Sequence, residues 1–247
     1  MPGIGSGPSI GSIHTAAPGR GVIAVVFDLD GVLVDSEQTW DEARRRVVEE
    51  RGGRWRPEAT TAMMGMSSPE WSQYLHDRLG VPGAPEAISD AVVALVVEAY
   101  DQRLPLLPGA RETVQTLARR WPLGLASSSN RVVIEVFLER SGLRGCFRAA
   151  VSSEEVAHGK PAPDVYLAAV EALQVEPHTA VAVEDSSNGI RAASAAATRV
   201  VAIPNRAFPP PADVLALADV VLASVTDLTP DLVTRLAGEG PSEPPDR

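Results

Sequence analysis

The chain has 247 residues, with 22 Lys or Arg against 32 Asp or Glu and a formal net charge of −10. That length fits one large domain, or a core with a smaller insert, and the acidic balance argues against nucleic acid or an anionic membrane as a partner. A single cysteine, Cys146, rules out an internal disulfide framework and suits a reducing cytoplasm, where it reads as a small buried apolar residue.

Residues 1–21 are rich in Gly, Ser and Pro and lack a basic start followed by an apolar stretch, so they read as a disordered leader and not as a signal peptide. The first apolar run, residues 22–27, is rich in β-branched side chains and ends in Asp28-Leu29-Asp30-Gly31. Such a continuous run suits a strand buried on both faces. Two carboxylates at i and i+2 at a strand end are costly to hold together unless they share a cation or a proton.

Residues 36–106 contain no strand pattern. Trp40, Ala43, Val47 and Val48 mark one helical stripe, Trp71, Tyr74, Leu75 and Leu79 a second, and Val92, Val93, Val96, Val97 and Tyr100 a third. Glycine- and proline-bearing loops separate them. These residues are therefore expected to form an all-helical cap. Arg44, Arg45, Arg46, Arg51, Arg54 and Arg56 cluster there among Asp41, Glu42, Glu49 and Glu50, which reads as a solvated, paired helix face. Met63, Met64 and Met66 read as packing residues or, with Trp40 and Trp71, as an apolar wall at a pocket entrance.

Beyond the insert, apolar runs at residues 123–126, 149–152, 180–183, 200–203 and 220–222 alternate with helical stripes. Thr113, Val114 and Leu117 mark one stripe, Val132, Val133, Val136 and Phe137 another, and Val165, Leu167, Ala168, Val170 and Leu173 a third. This alternation predicts an α/β fold, a doubly wound, Rossmann-like parallel sheet. The core is assigned to residues 22–35 and 107–237, the cap to 36–106, and a disordered tail to 238–247. The longest apolar run, residues 91–97, is far shorter than the ~20 residues a membrane crossing needs.

In an open sheet of this kind ligands bind at the carboxyl ends of the strands. Asp28 and Asp30 emerge there, and so do Glu184 and Asp185 after the run at 180–183. Four carboxylates without His or Cys select a hard cation such as Mg2+, which accepts phosphate oxygens. Ser127 and Ser128 close another strand and open a helix, presenting hydroxyls and backbone N–H groups to an anion. Of the basic residues 21 are arginine, and the only lysine is Lys160, in His158-Gly159-Lys160-Pro161-Ala162-Pro163-Asp164. A compact ammonium suits phosphate neutralisation beside a carboxylate.

Taken in order, Asp28-x-Asp30-Gly-x-Leu-x-Asp35-Ser36, the strand-end Ser127, Lys160-Pro-x-Pro-Asp and Glu184-Asp185-Ser186 resemble the four motifs of the haloacid dehalogenase superfamily. The resemblance covers roughly residues 22–225, and the helical insert after the first motif is similar to the subgroup that holds phosphoglycolate phosphatase, sugar-phosphate phosphatases and β-phosphoglucomutase. It implies an Mg2+-dependent phosphomonoester hydrolase acting on a small phosphorylated metabolite, a sugar phosphate or similar. Asp28 would be the nucleophile and form an aspartyl-phosphate. Asp30 would protonate the leaving oxygen and then deprotonate water. Mg2+ would be held by Asp28, the backbone carbonyl of Asp30 and Asp185, with Glu184 acting directly or through its neighbours. Ser127, Ser128 and Lys160 would hold the phosphoryl oxygens.

Substrate choice would fall to the cap, at Trp40, Gly65, Met66 and Ser67. Dehalogenation is disfavoured because the enzymes that do it lack an acid at the position of Asp30. A β-phosphoglucomutase-like transfer is the alternative. It is disfavoured because Trp40 stands where the mutases have His, and the loop Met64-Gly65-Met66-Ser67-Ser68 carries no cation for a second phosphate. A second alternative is a non-catalytic phospho-ligand-binding module. The protein is expected to be cytoplasmic, without a nucleic-acid or membrane partner, and monomeric, with a dimer as the other possibility.

Overall fold

The computed structural model describes residues 24–63, 66–205 and 209–238. The expected leader, residues 22–23 of the first run, Met64 and Gly65 of the cap loop and residues 239–247 of the tail lie outside the described residues. At the centre is a six-stranded sheet in the order β3-β2-β1-β4-β5-β6, with every pairing parallel. The strands are β1 (Ala24–Phe27), β2 (Leu123–Ser127), β3 (Phe147–Ser152), β4 (Ala180–Glu184), β5 (Arg199–Ala202) and β6 (Val220–Val221).

The chain runs outward from β1 in both directions, so strand order reverses at the centre, the topology that opens a crevice at the carboxyl ends. Along each strand the side chains alternate between two separate apolar layers. Val25, Phe27, Leu125, Val181 and Val183 join one cluster; Ala24, Val26, Ala126, Ala180 and Ala182 join the other. Both faces are covered, which is why the strands read as continuous apolar runs and not as alternating ones.

Helices α1 (Glu37–Glu50), α2 (Ala59–Ala62), α3 (Ser68–Leu79) and α4 (Pro85–Gln102) lie between β1 and α5 (Ala110–Ala118). They form the expected all-helical cap. The chain leaves and re-enters the core through two adjacent segments: the Asp35 N–H donates to the Pro105 carbonyl at 2.8 Å, and the Leu107 N–H donates to the Leu33 carbonyl at 3.0 Å. Helix α3 starts on a capping box, with Ser67 and Glu70 bonded reciprocally, and ends on Gly80 in the left-handed region.

The remaining helices flank the sheet. They are α6 (Arg131–Arg140), α7 (Asp164–Ala172), α8 (Ser187–Ala195), α9 (Ala212–Leu215) and α10 (Pro230–Gly238). Two expected stripes shift by a residue. Helix α6 buries Val133, Ile134, Phe137 and Leu138, while Val132 is 47% exposed. Helix α7 buries Tyr166, while Leu167 is 40% exposed. These helices carry apolar residues on more than one face, and only the position of the sheet selects the buried one. No helix among the described residues is long and apolar enough to cross a membrane.

The shifted stripe predicts a contrast. Ile134→Ala, at a site with no exposure, should destabilise the protein by about 2–5 kcal/mol, whereas Val132→Ala should stay within about 0.5 kcal/mol. Denaturant unfolding of the two variants measures both, and equal losses would show that α6 is turned differently.

Candidate active site

Strand β1 delivers Asp28 to the crevice, where its N–H donates to the Val183 carbonyl of β4 at 2.9 Å. The register pairs Phe27 with Val183, so the residues that follow, Asp28 and Glu184, are neighbours. Lys160 arrives on the loop before α7 and is only 5% exposed. Its Nζ donates to Asp28 Oδ1 at 2.6 Å, to the Ala126 carbonyl of β2 at 2.9 Å and to Glu184 Oε1 at 2.5 Å. All three of its donors are thus committed, and one ammonium ties together the ends of β1, β2 and β4.

Glu184 is fully buried and saturated. Its Oε1 also accepts from the Tyr166 hydroxyl at 2.7 Å, and its Oε2 from the Asp185 N–H at 3.1 Å and the Ser186 hydroxyl at 3.3 Å. A Cβ on Gly189, at the start of α8, would fall 1.9 Å from this carboxyl group, so only glycine lets the helix approach so closely. Burial and the neighbouring Glu184 push the Tyr166 phenol well above its ordinary range, and it serves as a neutral donor.

Burial pushes the Asp28 carboxyl up to about 8; the Lys160 ammonium works against this, and Glu184 and Asp30 add to it. Asp185 is likewise pushed well up, by burial first and then by Glu184 and Asp28. Burial by itself would favour neutral Lys160, but the attraction of Asp28 and Glu184 outweighs it and the ammonium stays charged. The cluster therefore holds more acidic groups than one lysine can keep ionised, and protons make up the difference.

Carboxylate oxygens of Asp28, Glu184 and Asp185 lie within 4.8 Å of one another. Beside them Gly31 turns with φ +77, and a Cβ there would meet Asp185 Oδ2 at 2.0 Å, so the turn leaves Asp185 room to face Asp28. An all-oxygen donor set with more acids than cations fits a hard divalent cation, which would take the place of the protons. With Glu184 saturated by protein donors, the oxygens left for such an ion belong to Asp28 and Asp185.

Asp30 is held on both oxygens. Its Oδ1 accepts from the Trp40 indole of the cap at 3.2 Å, and its Oδ2 from the Ser129 hydroxyl at 2.5 Å. Asp28, Asp30, Lys160 and Asp185 share one cavity of about 490 Å³ with Ser128, Ser129, Trp40, Arg44, Met66, Ser68 and Trp71. Among the sequence candidates, Ser127 sits beneath this wall, fully buried, where its Oγ accepts from the Ser129 N–H at 3.0 Å. Ser67 is the helix cap of α3, and its neighbour Ser68 faces the cavity, bonded to Asn130 Oδ1 at 2.7 Å.

Sequence reasoning missed Ser129, Tyr166 and Arg44. The run of three serines offers no way to tell which hydroxyl reaches Asp30, and Tyr166 falls outside the stripe chosen for its helix. Arg44 is a correction. Arg45 and Arg46 do pair along the exposed face of α1, with Asp41 and Glu50, but Arg44 turns inward over the rings of Trp40 and Trp71. The loop between α2 and α3 carries no cation, yet the cap supplies one from α1.

A family model described as haloacid dehalogenase-like hydrolase matches residues 23–197. Hexitol phosphatase B of Escherichia coli K12 is 36% identical over 217 residues, which cover 85% of this chain and 96% of that protein. A phosphorylated carbohydrates phosphatase of Thermotoga maritima is 33% identical over 174 residues, covering 70% of this chain and 81% of its own. Among solved structures, CbbY from Rhodobacter sphaeroides in complex with phosphate superposes with a TM-score of 0.76 at 27% identity, covering 84% of this chain and 96% of that one. With the matched model spanning β1 to α8 and the motif side chains gathered in one crevice, the chain belongs to the haloacid dehalogenase-like hydrolases.

Proposed function

We propose that this hydrolase removes the phosphate from a small phosphorylated metabolite, a sugar or sugar-alcohol phosphate, through an aspartyl-phosphate on Asp28. The observation that carries the reading is the pair Asp28 and Asp30 at the floor of one cavity, the first fixed by Lys160 and the second oriented by Ser129 and Trp40. The names of the relatives, hexitol phosphatase and phosphorylated carbohydrates phosphatase, support the substrate class.

In this mechanism a carboxylate oxygen of Asp28 attacks phosphorus in line, and the bond from phosphorus to the ester oxygen breaks. Asp30 gives its proton to the departing alkoxide, then takes one from a water that attacks the aspartyl-phosphate, and inorganic phosphate leaves with the Asp28 carboxylate restored. Lys160 acts as a fixed positive charge beside the nucleophile, since its donors are engaged by the protein. Ser128 and Ser129 offer hydroxyls on the cavity wall, and Ser127 supports them from beneath. Asp28, Asp185 and the Asp30 carbonyl would hold Mg2+, with Glu184 placed to fix Lys160 and the start of α8. When bound, the ion supplies positive charge that lowers the repulsion between the acids and the phosphoryl group. Trp40 and Met66 would contact the substrate from the cap.

Asp28→Asn should reduce hydrolysis of an aryl phosphate in Mg2+ by roughly a thousandfold or more while circular dichroism stays unchanged; retained turnover would overturn the assignment. Lys160→Arg keeps the charge but cannot place three converging donors in a buried slot built for an ammonium. It should lose roughly a hundredfold in kcat, and full activity would show that charge alone is needed.

In the metal-free protein Asp28 keeps its proton when folded, up to about 8, against an ordinary value of 3.8. Between those values the folded state binds more protons than the unfolded one, so stability falls as pH rises across that window. A divalent ion competes with those protons, so Mg2+ should raise Tm more at about pH 8 than at about pH 5. A shift that is equal at both, or absent, would place the ion elsewhere.

A further inference from the structure

Arg44 occupies an unusual position for a cation. Its guanidinium carbon lies 5.3 Å from the centroid of the Trp40 ring and 5.1 Å from that of Trp71, on the cap wall of the cavity that holds Asp28. Its Nε is buried and has no hydrogen-bond partner. Burial lowers its pKa to about 10, while Asp41 and Asp30 oppose the shift, so it carries its charge at neutral pH.

Among the described residues neither of those carboxylates pairs with it, and each is bonded to other donors on both oxygens. Asp41 Oδ2 accepts from Arg45 Nε at 2.6 Å and its Oδ1 from the Thr60 hydroxyl at 2.6 Å. Asp30 is occupied by Trp40 and Ser129. Among the described residues no ion pair holds Arg44, whereas Arg45 and Arg46 on the same helix each have one. Two indole faces stabilise a guanidinium, but they leave its buried Nε–H without an acceptor, and an unmet buried donor is costly. A planar fork of N–H groups facing a ligand cavity matches a carboxylate or phosphate in two parallel hydrogen bonds.

We propose that Arg44, seated on Trp40 and Trp71, is a subsite for a second anionic group, so that the preferred substrate carries a carboxylate or a further phosphate at the end of its carbon skeleton opposite the phosphate that is cleaved. The proposal rests on the phosphatase reading above and narrows its substrate class. It also draws from α1 the cation that the cap loop lacks.

The test uses three phosphate esters of one three-carbon skeleton, ending in a carboxylate, in a second phosphate or in a neutral carboxamide. The intact protein in Mg2+ should show kcat/KM higher by about tenfold or more for at least one anionic ester than for the amide. The two anionic arms distinguish carboxylate from phosphate. In Arg44→Gln that ratio should fall to about one, and Arg44→Lys should keep part of it. Equal rates on all three esters in the unaltered protein would overturn the proposal whether or not a variant folds, as would a ratio that survives Arg44→Gln. Calorimetric binding of the same esters to Asp28→Asn protein separates the two readings. If no ester is turned over by the unaltered protein, the phosphatase reading fails, while tighter binding of the anionic esters, lost on adding Arg44→Gln, still supports the subsite; binding without that preference overturns it.

Discussion

A single ammonium group, buried between two carboxylates, is the constraint around which this protein is arranged. Lys160 draws Asp28, Glu184 and the Ala126 carbonyl to one point, fastening the ends of the three central strands where the crevice opens. A buried ion pair is tolerable only when every donor and acceptor is met, and the surroundings are built accordingly. Tyr166 and Ser186 complete Glu184, and Gly189 lets α8 approach it. The arrangement still leaves the acids in excess, as the raised Asp28 and Asp185 carboxyls record. That excess is the electrostatic preparation for a divalent cation.

The cap is tied to this centre by the same helix that furnishes its recognition surface. Helix α1 carries Trp40, whose indole reaches Asp30, and one turn later Arg44, whose guanidinium covers both cavity tryptophans. Ser68 with Asn130 and Glu37 with Asn205 add two more bonds between cap and core. A side chain that orients the proposed acid and base therefore sits four residues from the one proposed to meet the far end of a substrate. The proposed substrate contact and the proposed acid and base are thus joined by one helix, α1. The net charge of −10 repels anions at long range, so the proposed recognition of a phosphate ester would have to come from Lys160, Arg44 and a bound cation acting locally, where the dielectric is low.

The order of strands and helices was legible because parallel strands buried on both faces must be apolar throughout, and because an insert without strand pattern can only be helical. The motif acids were legible for a related reason: carboxylates at strand ends have few structural uses, and the lone lysine stood out against 21 arginines. Helix facing was less so. On α6 the choice between Val132 and Ile134 depends on where the sheet lies, and a helix apolar on several sides does not declare its inner one.

By itself, then, the amino-acid sequence determined the fold class, the metal-fitting acid cluster and the family, since these depend on residue type and spacing along the chain. Only the tertiary structure decided that Ser129 and not Ser127 meets Asp30, that Glu184 is spent on protein donors, and that Arg44 leaves the row of paired arginines to face the cavity. Each of these is a matter of direction: adjacent residues on one turn or strand end have nearly the same local preferences, and which of them points into the site is set by elements packed against them from distant parts of the chain.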